Sequence, residues 1–163
     1  MKIYVDMDGV LANFERRYID LFREAPGESR NNKEFSSNWD MFIQGQHFET
    51  LEWWPGGPEL VTYLTKHLPL DSVEILSSSG GNKYHDEVVI QKNKWIETFN
   101  LPEWKVNVVA GRKKKAEFAT PDSILIDDTE DVIQAFRAAG GIGIHHKDIT
   151  NTLMLLDIYL ARG

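Results

Sequence analysis

Short apolar runs alternate along this chain with longer stretches in which apolar residues recur at helical spacing. The short runs have the length and β-branched content of buried strands, and they occupy positions 3–5, 73–76, 105–109, 123–126 and 141–145. The longer stretches predict helices at 11–23, 59–67, 86–99, 130–139 and 150–162, with a shorter helix starting at the lysine triplet 113–115. Strands that alternate with helices are typical of a parallel sheet, so we predict a three-layer, Rossmann-like α/β fold.

The connection after the first predicted strand is unusually long. About 45 residues separate that strand from the break at Pro55-Gly56-Gly57-Pro58, far more than a usual strand-to-helix connection. Residues 24–37 are polar and predict a loop, whereas residues 39–54 are rich in aromatic side chains and poorly periodic. A long aromatic insert beside a strand end suggests a lid over a site. Within one domain over residues 1–163, the expected division is a core at about 1–14 and 57–163 and a small helical cap at about 15–56.

Composition narrows the classes of partner. The chain has 163 residues, 42% of them hydrophobic, and a formal net charge of −7, which disfavours the wrapping of duplex nucleic acid. It has no cysteine, which excludes disulfides and thiolate metal sites and fits a reducing compartment. No apolar run has membrane-spanning length, and the amino terminus enters a strand directly instead of forming a signal peptide. We therefore expect a cytoplasmic protein without a membrane partner, and the sequence leaves a homodimer open.

Two acids and a glycine follow the first predicted strand. Asp6 and Asp8 are two positions apart, so in extended chain their carboxylates point the same way into one small space. Like charges this close need a cation or a shared proton, and the carboxyl edge of an α/β sheet is where ligands bind. Gly9 allows a tight turn whose N–H can face an anion. The alternative is an ordinary solvated turn, in which Asp and Gly are common.

The ends of two later predicted strands add hydroxyl and carboxylate groups to those of Asp6 and Asp8. The second predicted strand ends in hydroxyls at Ser77 and Ser78, and the fourth ends in a second acidic pair, Asp127 and Asp128. Carboxylate oxygens suit Mg²⁺, whereas hydroxyls, backbone N–H groups and a lysine from 113–115 suit phosphate oxygens. With such an inventory one aspartate can attack phosphorus while a second handles the leaving group's proton.

These motifs, in this order, resemble those of the haloacid dehalogenase (HAD) superfamily of phosphatases. The run Asp6-Met7-Asp8-Gly9-Val10-Leu11 matches the first motif of that superfamily, and Ser77 matches the hydroxyl of the second. Lys115 is our choice for the lysine of the third motif, with Lys113 and Lys114 as alternatives, and Asp127-Asp128 matches the fourth. The resemblance implies a HAD-like fold over nearly the whole chain.

Within that superfamily the chain looks most like the 5′(3′)-deoxyribonucleotidases. The opening motif continues into Phe14, and Ile124-Leu125-Ile126-Asp127-Asp128 is similar to the fourth-motif ending of that family. The resemblance implies that aromatic side chains of the first helix and the cap contact the nucleobase. Phe14 is assigned this role because it directly continues the matched motif. The candidates in the cap, assigned only because they lie in the corresponding region, are Trp39, Phe42 and Phe48.

The resemblance also implies roles for the polar residues. Asp6 would be the nucleophile and a Mg²⁺ ligand, and Asp8 would be the general acid/base whose backbone carbonyl also binds the metal. The other expected metal ligands are Asp127 and Asp128, and the expected phosphate-binding residues are Gly9, Ser77, Ser78 and Lys115. The implied activity is Mg²⁺-dependent hydrolysis of nucleoside monophosphates through an aspartyl-phosphate.

Three other functions stay open from the sequence alone. One is a HAD phosphatase that acts on another small phosphate or on a nucleic-acid 3′-phosphate end, the latter disfavoured by the negative charge. The second is a phospho-accepting receiver, which also combines acids, a hydroxyl and a lysine around Mg²⁺. The third is a catalytically silent binding module on this fold, because fold alone does not determine function.

Overall fold

A computed structural model describes residues 1–162 and shows a parallel five-stranded sheet. The strands are β1 (Lys2–Val5), β2 (Val73–Ser78), β3 (Lys105–Val109), β4 (Ser123–Asp127) and β5 (Ile142–His145). Their order in the sheet is β3-β2-β1-β4-β5, and every neighbouring pair is parallel. This confirms the predicted α/β class. The order runs outward from β1 in both directions, so the carboxyl end of β1 lies where α/β folds commonly bind ligands.

Helices cover both faces of the sheet. The α-helices are α1 (Phe14–Phe22), α2 (Pro26–Asn31), α3 (Phe35–Gln44), α4 (Gly57–His67), α5 (His85–Thr98), α6 (Glu130–Ala138) and α7 (Ile149–Arg162). Short 3₁₀ helices occupy His47–Thr50, Leu70–Ser72 and Arg112–Phe118. None of the helices in residues 1–162 combines the length and the apolar character that crossing a bilayer requires.

Alternation along the strands divides the core into two layers. Ile3 and Val5 of β1 belong to the larger apolar cluster, which also holds buried residues of α4, α5 and α7. Leu76 and Leu125 point to the opposite face, where they pack against α6. Successive strand side chains point to opposite faces, so a central strand with helices on both sides is largely apolar.

The segment between β1 and α4 is helical where we predicted a loop. Residues 24–37 contain α2 and the start of α3, so the loop prediction there was wrong. Pro26 begins α2, and the Glu28 carboxylate accepts a hydrogen bond of 3.4 Å from the backbone N–H of Ala25, which stabilises the first turn. Inside this cap, Asn38 donates hydrogen bonds to the hydroxyls of Tyr18 and Ser29. These buried polar residues interrupt the apolar periodicity that identifies helices in a sequence.

Backbone hydrogen bonds join the two ends of this insert beside the end of β1. The N–H of Asn13 donates to the carbonyl of Glu52, and the N–H of Trp54 donates to the carbonyl of Leu11, both at 2.8 Å. Asn13 also caps the N-terminus of α1, because its side chain accepts a hydrogen bond from the N–H of Arg16. The helical insert is therefore held directly over the carboxyl edge of the sheet.

Candidate active site

Three carboxylates converge at the carboxyl edge of the central strands. Asp6 follows β1, Asp127 is the last residue of β4, and Asp128 follows it. One oxygen from each lies within 4.8 Å of the other two. Parallel strands end at the same edge, which explains how residues about 120 positions apart meet. A set of carboxylate oxygens this compact could hold a divalent cation such as Mg²⁺.

Lys115 is the cation that the chain itself supplies to these acids. Its Nζ lies 2.9 Å from Asp6 Oδ1 and 2.7 Å from Asp127 Oδ2, and the side chain is 4% exposed. Lys113 and Lys114 are exposed. Of the three lysines in the triplet, the structure therefore brings Lys115 to the centre, because the 3₁₀ helix Arg112–Phe118 turns that one side chain inward.

The electrostatics of the cluster favour an added cation. Burial raises the pKa of Asp6 well above its ordinary value, and the neighbouring Asp127 carboxylate raises it further. Desolvation and then Asp127 raise the pKa of Asp128 to about 6. Burial lowers the pKa of Lys115, but the carboxylates of Asp6 and Asp127 outweigh that effect and raise it overall. One ammonium does not neutralise three carboxylates, and a divalent cation would complete the balance.

Gly9 is required by the space beside Asp128. Its φ is +81°, which side chains rarely adopt, and a Cβ there would collide with the Asp128 carboxylate. The turn from Met7 to Ala12 is closed by hydrogen bonds from three consecutive N–H groups to the carbonyl of Met7. The predicted turn glycine thus lets the loop after β1 approach the fourth-strand acids.

Asp8 has one carboxylate oxygen held and the other unpaired. Its Oδ2 accepts a hydrogen bond of 3.1 Å from Lys92 Nζ. Its Oδ1 is buried and has no hydrogen-bond partner among the described residues. A buried carboxylate oxygen without a partner is costly, so its presence in a residue that lines the cavity indicates a reacting or binding group. The Asp8 side chain lies outside the three-carboxylate cluster, and the metal contact we predicted for it was through its backbone carbonyl.

Lys92 is the functional candidate that the sequence analysis missed. Its side chain is 1% exposed, and Nζ donates to Asp8 Oδ2, to Ser77 Oγ at 2.5 Å and to the carbonyl of Ser78 at 3.1 Å. Val88, four residues before it, and Trp95, three residues after it, are both buried on α5. A lysine within the apolar stripe of a helix was the available signal, because lysine is almost never buried without a partner.

The two predicted hydroxyls occupy different positions. Ser78 lines the cavity in front of the acids, whereas Ser77 is fully buried and its Oγ accepts the hydrogen bond from Lys92. Both belong to the end of β2, next to β1. The Gly80 N–H is already bonded to Ser78 Oγ at 3.0 Å, which orders the loop after the strand.

A cavity of about 850 Å³ opens in front of these groups, under the helical insert. Its wall includes Asp6, Asp8, Lys115 and Asp128 on the sheet side, and Phe14, Phe35 and Trp39 on the insert side. Phe14 and Trp39, two of the predicted base contacts, therefore face the same space as the acids. A flat aromatic surface beside a phosphate-sized polar centre suits a substrate with a ring.

The structure corrects the prediction for the other two aromatics. Phe42 and Phe48 are fully or almost fully buried and do not line the cavity. Their rings pack against Phe14 at centroid distances of 4.9 and 5.6 Å and fix its position from behind. On α3, Phe35, Ser36 and Trp39 line the cavity, and Phe42 lies on the core side. The prediction rested on region alone, and the face of α3 could not be read without its helical register.

Comparison with known proteins establishes the fold. No family model matches this sequence, and no curated protein matches it. Among solved structures, a hydrolase from Pseudomonas syringae is similar, with 15% identity, a TM-score of 0.54, and coverage of 92% of this chain and 87% of that one. A hydrolase from Streptococcus pneumoniae TIGR4 has 14% identity and a TM-score of 0.53, over 96% of this chain and 97% of that one.

A third similar structure is a HAD family enzyme from Bacteroides thetaiotaomicron in complex with magnesium and inorganic phosphate. It has 14% identity and a TM-score of 0.46, over 90% of this chain and 93% of that one. At the identities of the first two structures the shared property is the fold, and the chemistry must be argued from the site itself.

Proposed function

We propose that this protein is a Mg²⁺-dependent phosphomonoesterase of the HAD superfamily that hydrolyses nucleoside monophosphates, similar to the 5′(3′)-deoxyribonucleotidases. The observation that carries the proposal is the shared cavity. Asp6, Asp8 and Lys115 face it from the sheet edge, and Phe14 and Trp39 face it from the insert. A nucleophile, a proton carrier and a phosphate-binding cation thus lie within reach of a surface suited to a base.

The hydrogen bonds of Asp6 occupy one of its two carboxylate oxygens and support attack by the other. Its Oδ1 accepts from the N–H of Met7 at 2.8 Å and from Lys115 at 2.9 Å. The other oxygen, Oδ2, is left to attack phosphorus, and the ester P–O bond breaks as the new O–P bond forms. The ester oxygen departs as an alkoxide and takes a proton from Asp8, which yields the free nucleoside and an aspartyl-phosphate.

The second half of the reaction restores Asp6. Asp8, now ionised, removes a proton from water, and the resulting oxygen nucleophile attacks the phosphorus of the aspartyl-phosphate. The bond between phosphorus and Asp6 breaks, inorganic phosphate leaves, and Asp8 is again protonated. Mg²⁺ held by Asp6, Asp127 and the Asp8 carbonyl, with Asp128 beside them, would reduce the repulsion between the anionic nucleophile and the anionic phosphate. Lys115 and Ser78 would hold the phosphoryl oxygens, with Ser77 and the Gly9 N–H as further proposed contacts.

The test is phosphate release from a panel of monophosphates, each assayed with Mg²⁺ and with EDTA. The panel holds deoxy and ribo 5′- and 3′-nucleotides, sugar phosphates, acetyl phosphate and a 3′-phosphorylated oligonucleotide. We expect repeated, Mg²⁺-dependent turnover that favours nucleotides. If only sugar phosphates or only the oligonucleotide were hydrolysed, the proposed mechanism would stand, but the proposed substrate class would be wrong. A single stoichiometric reaction with acetyl phosphate would instead favour a phospho-accepting receiver, and no reaction at all would favour a binding module.

We expect Lys92→Met to lower kcat for nucleotides about 10- to 100-fold, with a smaller change in KM. The substitution keeps much of the buried volume but leaves Asp8 Oδ2 and Ser77 Oγ without their donor, and an unpaired buried polar group costs about 1–3 kcal/mol. Steady-state kinetics of the purified variant measure this. The matched control is Lys94→Met on the same helix, whose side chain is 56% exposed and pairs only with Glu49. Equal kinetics for the two variants would contradict a role for Lys92.

Mg²⁺ should stabilise the protein more at pH 7.5 than at pH 5. The pKa of Asp128 is raised to about 6 and that of Asp6 is also raised, so both carboxyls favour protonation in the metal-free fold. Their contribution to stability is complete below about pH 4 and is lost as the pH rises through their folded pKa values. Mg²⁺ binds the ionised forms and reverses this loss. At a concentration of about 100 Kd it should add about 2.7 kcal/mol at the higher pH.

Thermal unfolding with Mg²⁺ and with EDTA at the two pH values measures this effect. In Asp128→Asn the increment from Mg²⁺ should be smaller and should change less with pH, because one titrating ligand is removed. An equal Mg²⁺ increment at pH 5 and pH 7.5 in the unmodified protein would show that the cluster does not titrate with the metal.

Replacing Trp39 by alanine should raise KM for nucleotides about 10- to 100-fold, because stacking on an aromatic ring is worth about 1–3 kcal/mol per base. KM for glycerol phosphate, which has no ring, should change little. The quantity to measure is the change in KM for the nucleotide divided by the change in KM for glycerol phosphate, because any loosening of the insert would affect both substrates. Equal increases in KM would count against stacking on Trp39.

A further inference from the structure

Arg30 places an unpaired positive charge in the wall of the catalytic cavity. It belongs to α2, and its guanidinium carbon lies 4.1 Å from the centroid of the Phe35 ring. Among residues 1–162 no carboxylate oxygen lies within 4.0 Å of its guanidinium nitrogens, and no hydrogen bond uses them. The other cations of this wall are engaged: Lys115 bonds Asp6 and Asp127, and Arg112 pairs with Asp131 at 2.7 Å.

Arg30 and Arg112 concentrate positive charge at one part of a chain whose net charge is −7. Arg30 is an exposed residue whose guanidinium is partly desolvated against the cavity wall. This partial desolvation lowers its pKa, and the nearby charge of Arg112, which repels it, lowers the pKa further. An anion bound at Arg30 would relieve that repulsion. The planar fork of a guanidinium matches phosphate and carboxylate oxygens in pairs, and contact with the Phe35 ring holds the Arg30 guanidinium at the cavity wall.

A row of aromatic side chains connects Arg30 with the phosphate-binding edge. Phe35, under Arg30, stacks on Trp39 at a centroid distance of 5.8 Å. Trp39 reaches the loop after β2, where a Cβ added to Gly80 would lie 3.1 Å from its Cζ2 atom. Gly80 is two residues beyond Ser78, which lines the cavity beside the acids. A ring that stacks along this row can therefore have one end at the reacting centre and the other at Arg30.

We propose that Arg30 binds a second anionic group of the substrate, so that the preferred substrates are ring-bearing phosphomonoesters with a further phosphate or carboxylate. This rests on the proposed phosphatase function and names its substrate class. Among nucleotides the class corresponds to nucleoside bisphosphates, in which one phosphate reacts at Asp6 while the other pairs with Arg30.

The experiment compares two matched pairs of substrates. The first pair is a deoxynucleoside 5′-monophosphate and its 3′,5′-bisphosphate, and the second is phenyl phosphate and 4-carboxyphenyl phosphate. We expect kcat/KM to be about tenfold or more higher for the doubly anionic member of at least one pair. Arg30→Gln should remove that preference. Arg16→Gln, which alters an exposed arginine paired only with Asp20, should keep it.

The two substrate pairs also show which kind of anionic group Arg30 binds. Preference within the nucleotide pair alone identifies a second phosphate, preference within the aryl pair alone identifies a carboxylate, and preference in both identifies anions in general. No preference in either pair overturns the proposal while monophosphate hydrolysis leaves the phosphatase function intact. A preference that survives in Arg30→Gln also overturns it.

Failure of the proposed phosphatase function can be distinguished from failure of the proposed Arg30 site. If no member of either pair is hydrolysed, calorimetric binding of the bisphosphate and the monophosphate to the unmodified protein and to Arg30→Gln still measures the second site. Tighter binding of the bisphosphate that depends on Arg30 supports it, and equal binding of both compounds to both proteins overturns it.

Discussion

We expect Asp6→Asn to abolish the turnover of phosphate esters while the fold is retained, the largest effect of any single substitution in this chain. The side chain is buried, with Oδ1 bonded to Met7 and Lys115 and Oδ2 left for attack. An amide has the same shape and can still accept both hydrogen bonds, but it is not a nucleophile toward phosphorus. We expect kcat to fall by about 10⁴-fold or more, as for other residues that form the covalent intermediate.

The same substitution should not lower the stability of the metal-free protein. Burial and the Asp127 carboxylate raise the pKa of Asp6 well above its ordinary value, so its ionised form is unfavourable in the fold. A neutral amide removes that repulsion, and the melting temperature in EDTA should stay equal or rise. Phosphate release and thermal unfolding of one preparation measure both effects.

The control for this substitution is Asp20→Asn, which changes an acid that is 57% exposed on α1 and should leave both quantities unchanged. Normal turnover by Asp6→Asn would remove Asp6 from the nucleophile role. A large loss of stability together with activity would show that the carboxylate is needed for folding, and the catalytic conclusion would then rest on Asp8.

The sheet could be predicted from the sequence because its signals are local. Ile3 and Val5 of β1 are buried, and β4 is buried along its whole length. The run of β2 is interrupted only by Glu74, which is partly buried and pairs with Lys2. The acids and hydroxyls that follow these runs mark the strand ends. Parallel pairing then brings those ends together, so the meeting of Asp6 with Asp127 required only strand order in addition to the motif.

The insert could not be predicted in the same way because its helices are defined by tertiary contacts. Asn38 is buried with Tyr18 and Ser29 through hydrogen bonds, so polar residues occupy positions where helix periodicity expects apolar ones. The register of α3 decides that Trp39 faces the cavity and Phe42 the core. Aromatic content indicates a packed insert, but which ring meets the substrate depends on how the insert sits on the sheet.

Lys92 is a polar residue whose position at the site could likewise not be predicted from the sequence. It is 15 positions beyond Ser77 and belongs to no motif that we matched, yet its ammonium bonds both Ser77 and Asp8. The neighbouring Gln91 bonds the insert, since its amide donates to the carbonyl of Ile43 and accepts from the N–H of Phe48. Helix α5 therefore connects the insert with the Asp8 carboxylate, a relation that becomes visible only in three dimensions.

The second large effect is expected for Asp8→Asn, which should lower kcat for nucleotides about 10²- to 10⁴-fold. Asp8 lines the cavity, and its Oδ1 has no hydrogen-bond partner among the described residues, so that oxygen is free to carry the proton for the leaving alkoxide. An amide can neither give that proton nor later take one from water, so both halves of the reaction slow.

The two halves can be separated with a leaving group that needs no proton. With 4-nitrophenyl phosphate the first step of Asp8→Asn should stay comparatively fast, and about one equivalent of nitrophenol per enzyme should appear in a burst before slow turnover. With a nucleotide the first step is itself slow, so no burst of nucleoside is expected. Rapid-quench measurement of both products decides the role. If neither substrate gives a burst and the steady-state rate for nucleotides is normal, Asp8 does not transfer the proton. A burst with both substrates would make Asp8 the base of the second step alone.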